Sequence, residues 1–292
     1  MTFLTVAAAT LPSVPLDFQG NRDRILESIR IAKSKGATLR TGPELEIPGY
    51  GCLDHHLEGD TFAHSWEVLA QIISDEVTKD MLIDLGMGCR HRNVRYNCRV
   101  LCTYKRVLFI RPKMSLANDG LYREARHFTA WAKPLQTETY YLESVIEKVT
   151  GQRTVLIGDA ILSTRDTAIG LYVLEWLRDH PECVDGDARM MYDGSSMILL
   201  NGTVLEQGAQ FSLEPVEVIT ATIDLEQVRS FRSSISRNVQ AAAQPDYPRV
   251  EFDIQLSRSA DDMFLPGSPQ FSQSKELHIL DPMSEIWMST SV

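Results

Sequence analysis

Gly42-Pro43-Glu44-Leu45-Glu46-Ile47-Pro48-Gly49-Tyr50 is the stretch from which the fold is read. Residues 37–42 have the pattern of a short strand that runs into a proline, and a carboxylate follows at once. In α/β folds, pockets form outside the C-terminal ends of strands. Glu44 therefore stands where a general base is placed. Taken alone, the stretch also suits two surface acids, Glu44 and Glu46, beside a turn.

Upstream, residues 3–9 read as a buried strand. A helix follows from about Asn21 to Lys35, with Ile25, Ile29 and Ala32 on one face and Gly36 as its stop. Downstream, Phe62, Trp66, Leu69 and Ile73 make the apolar stripe of a helix over about Thr61–Val77, with Asp60 as N-cap. A strand over Leu82–Met87 comes next. Runs at Asn97–Thr103 and Arg106–Ile110, split by Tyr104-Lys105, signal a hairpin.

The second half is richer in strands, at Thr154–Leu162, Thr167–Leu174 and Glu217–Ile223. Asn201-Gly202 between two apolar runs is a strong hairpin signal, because both residues tolerate positive φ. Asp224 is read as the cap of a helix to about Val239. From about Ser257 to Val292 the chain is Pro/Ser-rich and aperiodic, and is expected to be an irregular tail. Alternation and periodicity by themselves reach the α/β class and no further.

Composition narrows the function. The 292 residues carry a formal net charge of −10, with 43% apolar and 23% charged residues. That composition excludes wholesale disorder. The negative balance argues against a nucleic-acid partner. No run of 18 apolar residues predicts a membrane helix. The first ten residues lack a basic segment and read as a strand rather than a signal peptide. Cys52, Cys89, Cys98, Cys102 and Cys183 are odd in number and irregular in spacing. Free thiols in a reducing compartment fit them, so a cytoplasmic location is expected. Cys98 and Cys102 share a strand face and read as a core pair. Asp54-His55-His56 reads as a solvated loop, and no metal site is expected.

Two more segments carry candidate chemistry. Lys113, in Arg111-Pro112-Lys113-Met114, follows a β run and is placed to stabilise an oxyanion. Tyr122-Arg123-Glu124 comes shortly after. With the Glu44 stretch, these resemble the nitrilase, or carbon–nitrogen hydrolase, superfamily, whose members use a Glu, a Lys and a Cys in that chain order. The closer resemblance is to the N-terminal glutaminase domain of eukaryotic-type glutamine-dependent NAD synthetases. It is carried by Gly42–His56, Met87–Cys98, Arg111–Glu124, Tyr192-Asp193-Gly194, Leu205–Leu213 and Val216–Arg232.

The resemblance implies an α-β-β-α sandwich over residues 1–255, here expected to be incomplete. It implies amide hydrolysis through a thioester, supplying ammonia for NAD biosynthesis. Glu44 would be the base and Lys113 the oxyanion partner. Tyr50 and Tyr122 would line the glutamine pocket, and Glu124 would position Lys113. The glutaminase domain needs no cofactor, whereas ATP and Mg²⁺ belong to a synthetase domain. No pyrophosphate loop of that domain occurs, and 256–292 is read as a tail in its place.

The chain departs from the family at the nucleophile. The family's Cys-Glu-Glu segment follows the strand that here reads Asp166–Gly170. This chain continues Leu171–Leu177, with Leu174 or a gap near 170–190 at the Cys position. Cys183, in Glu182-Cys183-Val184-Asp185-Gly186-Asp187, matches a later family segment that is not the nucleophile. The expectation is an impaired glutaminase domain. The alternatives are an inactive nitrilase-fold scaffold, partnering intact NAD synthetase subunits or itself, or a truncated gene product.

Overall fold

The computed structural model describes residues 2–118, 123–170, 194–234, 238–259, 261 and 270–289. In the first half, β1 (Thr2–Thr10) leads to α1 (Phe18–Ser34), β2 (Leu39–Thr41), α2 (Gly59–Ser74), β3 (Leu82–His91), β4 (Val94–Thr103) and β5 (Arg106–Pro112). Then come β6 (Thr137–Tyr141), α3 (Ser144–Thr150), β7 (Thr154–Gly158), β8 (Ile161–Ser163) and β9 (Ala168–Ile169). After residue 194 follow β10 (Met197–Leu200), β11 (Thr203–Gln207), β12 (Glu217–Asp224), α4 (Leu225–Ser234), α5 (Asn238–Ala243), β13 (Arg249–Glu251), β14 (Arg258–Ser259) and α6 (Pro282–Ser289).

The large sheet has the order β12-β1-β2-β3-β4-β5-β7-β6, and β14 pairs with β1. β10-β11 and β13-β8-β9 form two smaller sheets. Strand alternation sorts the side chains between two cores. On β1, Ala7 and Ala9 face Ile25, Ile29 and the α2 residues Trp66, Leu69 and Ile73. Leu4, Val6 and Ala8 face the other way, toward Leu162, Val250, Ile198 and Leu205 of the smaller sheets. The helix, sheet and sheet layers of the expected sandwich are therefore present. The gap near 170–190, and the run expected after Gly170, lie outside the described residues.

Several boundaries differ from the sequence pattern. α2 starts two residues early, after Glu58, and Asp60 sits inside its first turn. β3 extends to His91 and forms a hairpin with β4 around Arg92 and Asn93, both at positive φ (49° and 64°). Arg-Asn is a weaker written signal than Asn-Gly, yet it adopts the same backbone. The hairpin at Asn201-Gly202 forms as expected. The helix after Asp224 is described over Leu225–Ser234, and residues on the far side of 235–237 are helical again over Asn238–Ala243. In the segment from 256 onward, Arg258–Ser259 pairs with β1 and Pro282–Ser289 is helical.

The run read as one strand over Thr154–Leu162 is two. β7 belongs to the large sheet and β8 to a small one, and the chain crosses between them at Gly158-Asp159. Gly158 has φ +145°, and a Cβ there would lie 2.2 Å from the Gln136 carbonyl oxygen. Only glycine takes that backbone without strain. Gly158→Ala is expected to cost roughly 1–3 kcal/mol in urea unfolding, from backbone strain and overpacking.

Candidate active site

Glu44 lies in the turn that follows β2, where Pro43 has stopped the strand. Lys113 follows Pro112 at the end of β5, and Glu124 opens a 3-10 turn at Glu124–Arg126. Three segments distant in sequence thus converge at one end of the large sheet. Lys113 Nζ donates to Glu44 Oε1 and to Glu124 Oε2, each at 2.8 Å. The ammonium is 1% exposed, and its two carboxylate partners 10% and 12%. Burial disfavours its charge, but Glu44 and Glu124 outweigh burial and hold the pKa above the ordinary lysine value. Glu124 Oε2 also accepts from the Ala117 backbone N–H at 2.8 Å. Tyr50 donates its hydroxyl to Glu44 Oε2 at 3.3 Å and accepts from the Glu44 N–H at 3.0 Å.

Glu44, Tyr50, Lys113 and Glu124 are therefore brought together. Tyr122 lies outside the described residues. Glu46, a surface acid on the other reading, is fully buried. It takes a two-pronged ion pair from Arg40, at 2.8 and 2.9 Å. A second buried arginine, Arg99, donates to the Pro43 carbonyl at 2.6 Å and is held by Asp84 at 2.8 Å. Two buried guanidiniums thus fix the loop that presents Glu44. Gly86 on β3 lets that loop approach, because a Cβ there would lie 1.5 Å from the Glu44 carbonyl oxygen.

Asn97 is the residue the sequence pattern misses. Its side-chain amide donates to Glu44 Oε1 and, at 2.8 Å, to Glu124 Oε1. On β4, Asn97 and Arg99 project to one side of the sheet, while Cys98 and Cys102 project to the other, into the helix-facing core. The expected core pair is thus in place, on the face away from Glu44.

Four cysteines are described, all free and buried. Cys52 is nearest Glu44 in sequence, yet its thiol donates to the carbonyls of Pro48 and Gly49. Burial pushes it up to about 11, so the thiolate is disfavoured. Burial also raises the Cys98 and Cys102 thiols. Cys183 and Leu174 lie outside the described residues.

Asp54, His55 and His56 do not converge. His55 pairs with Glu58, and Asp54 pairs with Arg126 and His127. His56 is not solvated. It is 3% exposed and packs its ring 4.8 Å from that of Phe128. Phe128, Leu45 and Phe62 form a small apolar cluster, with Tyr50 and Leu116 against it.

Two consequences are measurable. Glu46→Gln removes one charge of a buried ion pair and is expected to cost roughly 3–5 kcal/mol in urea unfolding. The second concerns pH. Burial, aided by nearby His127 and His55, lowers His56 from 6.5 to about 4. The unfolded chain then binds a proton that the folded chain refuses, so stability falls as pH drops from above 6.5 toward 4. Wild type is expected to lose about 2 kcal/mol between pH 7 and pH 5 from this group. His56→Leu removes that share of the slope.

Comparison with known proteins follows the same lines. The carbon-nitrogen hydrolase family matches residues 5–176. A glutamine-dependent NAD(+) synthetase of Saccharomyces cerevisiae is 44% identical over 306 positions, covering 87% of this chain and 43% of that protein. The Homo sapiens protein of the same name is 42% identical over 339 positions, covering 97% and 48%. The 306 yeast positions take in only 87% of 292 residues, so about 50 of them stand opposite gaps here. A solved glutamine-dependent NAD(+) synthetase from Cytophaga hutchinsonii superposes with a TM-score of 0.65 at 25% identity, over 76% of this chain and 43% of that one. The chain spans about half the length of the curated relatives it matches. On the family match over more than half of its length, the chain belongs to the carbon-nitrogen hydrolase family.

Proposed function

We propose that the chain is a glutaminase-type carbon-nitrogen hydrolase domain of the kind found in glutamine-dependent NAD synthetases, and that it binds the glutamine side-chain amide without hydrolysing it. The observation that carries this reading is the buried Lys113 ammonium clasped by Glu44 and Glu124. In this reading Lys113 faces the amide oxygen, where negative charge develops on attack. Glu44 is the base that would take the proton of an attacking nucleophile. Tyr50, held on Glu44, forms part of the pocket wall.

The nucleophile is the missing part. Hydrolysis through a thioester needs a thiolate beside the base. Each of the three described cysteines whose thiol is perturbed is shifted away from the thiolate. The alignment gaps support loss of an internal segment, which we assign to the region after Gly170, where relatives of this type carry their cysteine. In this reading ATP and Mg²⁺ serve the synthetase reaction and not the amide site described here. Co-assembly with intact NAD synthetase chains or with a second copy follows as a proposal. Unpaired buried thiols favour a cytoplasmic location. No described helix is long and apolar enough to cross a membrane.

The test uses the purified 292-residue chain. Millimolar glutamine is expected to raise the melting temperature, as a ligand of the folded state does. Glutamate is expected to do so much less, because its carboxylate meets Glu44 and Glu124. No ammonia is expected. Ammonia release abolished by a thiol alkylator overturns the loss of the nucleophile. Equal or absent responses to the two amino acids overturn the amide site.

A further inference from the structure

We propose that Asn97 is a positioning residue of this site, a neutral bridge that sets the spacing and orientation of Glu44 and Glu124 around Lys113. The inference rests on reading those three residues as the amide site.

Two carboxylates placed on one ammonium repel each other. Lys113 links Glu44 Oε1 to Glu124 Oε2. Asn97 Nδ2 links Glu44 Oε1 to Glu124 Oε1. The four groups close a ring in which the two carboxylates share one charged donor and one neutral donor. A primary amide has two N–H groups on one nitrogen and no charge, so it can bridge both acids without altering the balance of one ammonium against two carboxylates. An ammonium at this position would neutralise the site, and a carboxylate would add a third like charge.

The backbone of Asn97 contributes as well. Its carbonyl accepts the Lys113 N–H at 2.8 Å, so one residue holds the lysine by its main chain and the lysine's partners by its side chain. Asn97 is 2% exposed, in the middle of β4 opposite Gly88. Its strand neighbour Arg99 fixes the Pro43 carbonyl, so β4 controls both the backbone and the carboxylate of the Glu44 segment. Among the described residues, the charged and titratable groups around Glu44 include Lys113, Glu124 and Tyr50, with Arg99 behind the loop.

The experiment is carboxyl-carbon NMR of Glu44 and Glu124 in the full chain, with Asn97→Leu and Asn97→Asp. Asn97→Leu removes both donors at similar volume. Asn97→Asp keeps the shape and adds a charge. In Asn97→Leu both carboxyl resonances are expected to move, and the Glu44 midpoint to rise by about one pH unit as a charge-favouring donor is lost. A larger rise is expected in Asn97→Asp. Glutamine affinity, read by thermal shift, is expected to fall about tenfold in Asn97→Leu. If Asn97→Leu fails to fold, the near-isosteric Asn97→Asp carries the decision. Carboxyl signals and a Glu44 midpoint unchanged from wild type overturn the inference. Because these signals are read without glutamine, a wild type that binds no glutamine refutes the amide-site reading and leaves the role of Asn97 decided separately.

Discussion

An ammonium that is 1% exposed stays charged only if carboxylates surround it, and Lys113 has two. This requirement organises the end of the sheet. Glu44 must come from the loop after β2, and Glu124 from the segment after β5. Neither carboxylate reaches Lys113 at hydrogen-bond distance unless its own backbone is held in place. The buried charges around the site meet that need. Arg40 locks Glu46, Arg99 locks Pro43, and Gly86 leaves room for the Glu44 backbone to rest against β3.

Such an arrangement is expensive in solvation and offers little net stability compared with apolar packing. Stability comes instead from the two apolar cores on either face of the large sheet. The polar groups are concentrated on one face at the strand ends, and the thiols of β3 and β4 face the helices. The division explains how a cysteine-rich pair of strands can pass directly beneath Glu44 without offering it a nucleophile. Alternation on a strand sends residues 97 and 99 one way and residue 98 the other.

Much of this was legible in the residue order. The strand ending at Pro43 and the helix stripe of Phe62, Trp66, Leu69 and Ile73 appeared where their periods placed them. So did the Asn201-Gly202 hairpin. Where the reading slipped, a local rule had met a tertiary demand. The run Thr154–Leu162 is uniformly strand-like, but its two halves belong to different sheets. Only Gly158 marks the crossing, and an isolated glycine in a strand has several meanings. His56 looked solvated between Asp54 and Leu57, yet its ring is packed against a phenylalanine from residue 128.

By itself, the sequence determined the α/β class, the strand ends that carry Glu44 and Lys113, and the chain order of Glu44, Lys113 and Glu124. These follow from short-range rules, in which a proline ends a strand and periodicity names an element. Only the tertiary structure decided that Glu46 is a buried clamp and not a surface acid, that Cys52 is pinned, and that Asn97 joins the two acids. Each of those facts is a side-chain contact, or a degree of burial, that exists only once the segments have packed together. Hydrogen-bond donors have no periodicity, so such partners emerge only when the sheet brings β3, β4 and β5 side by side.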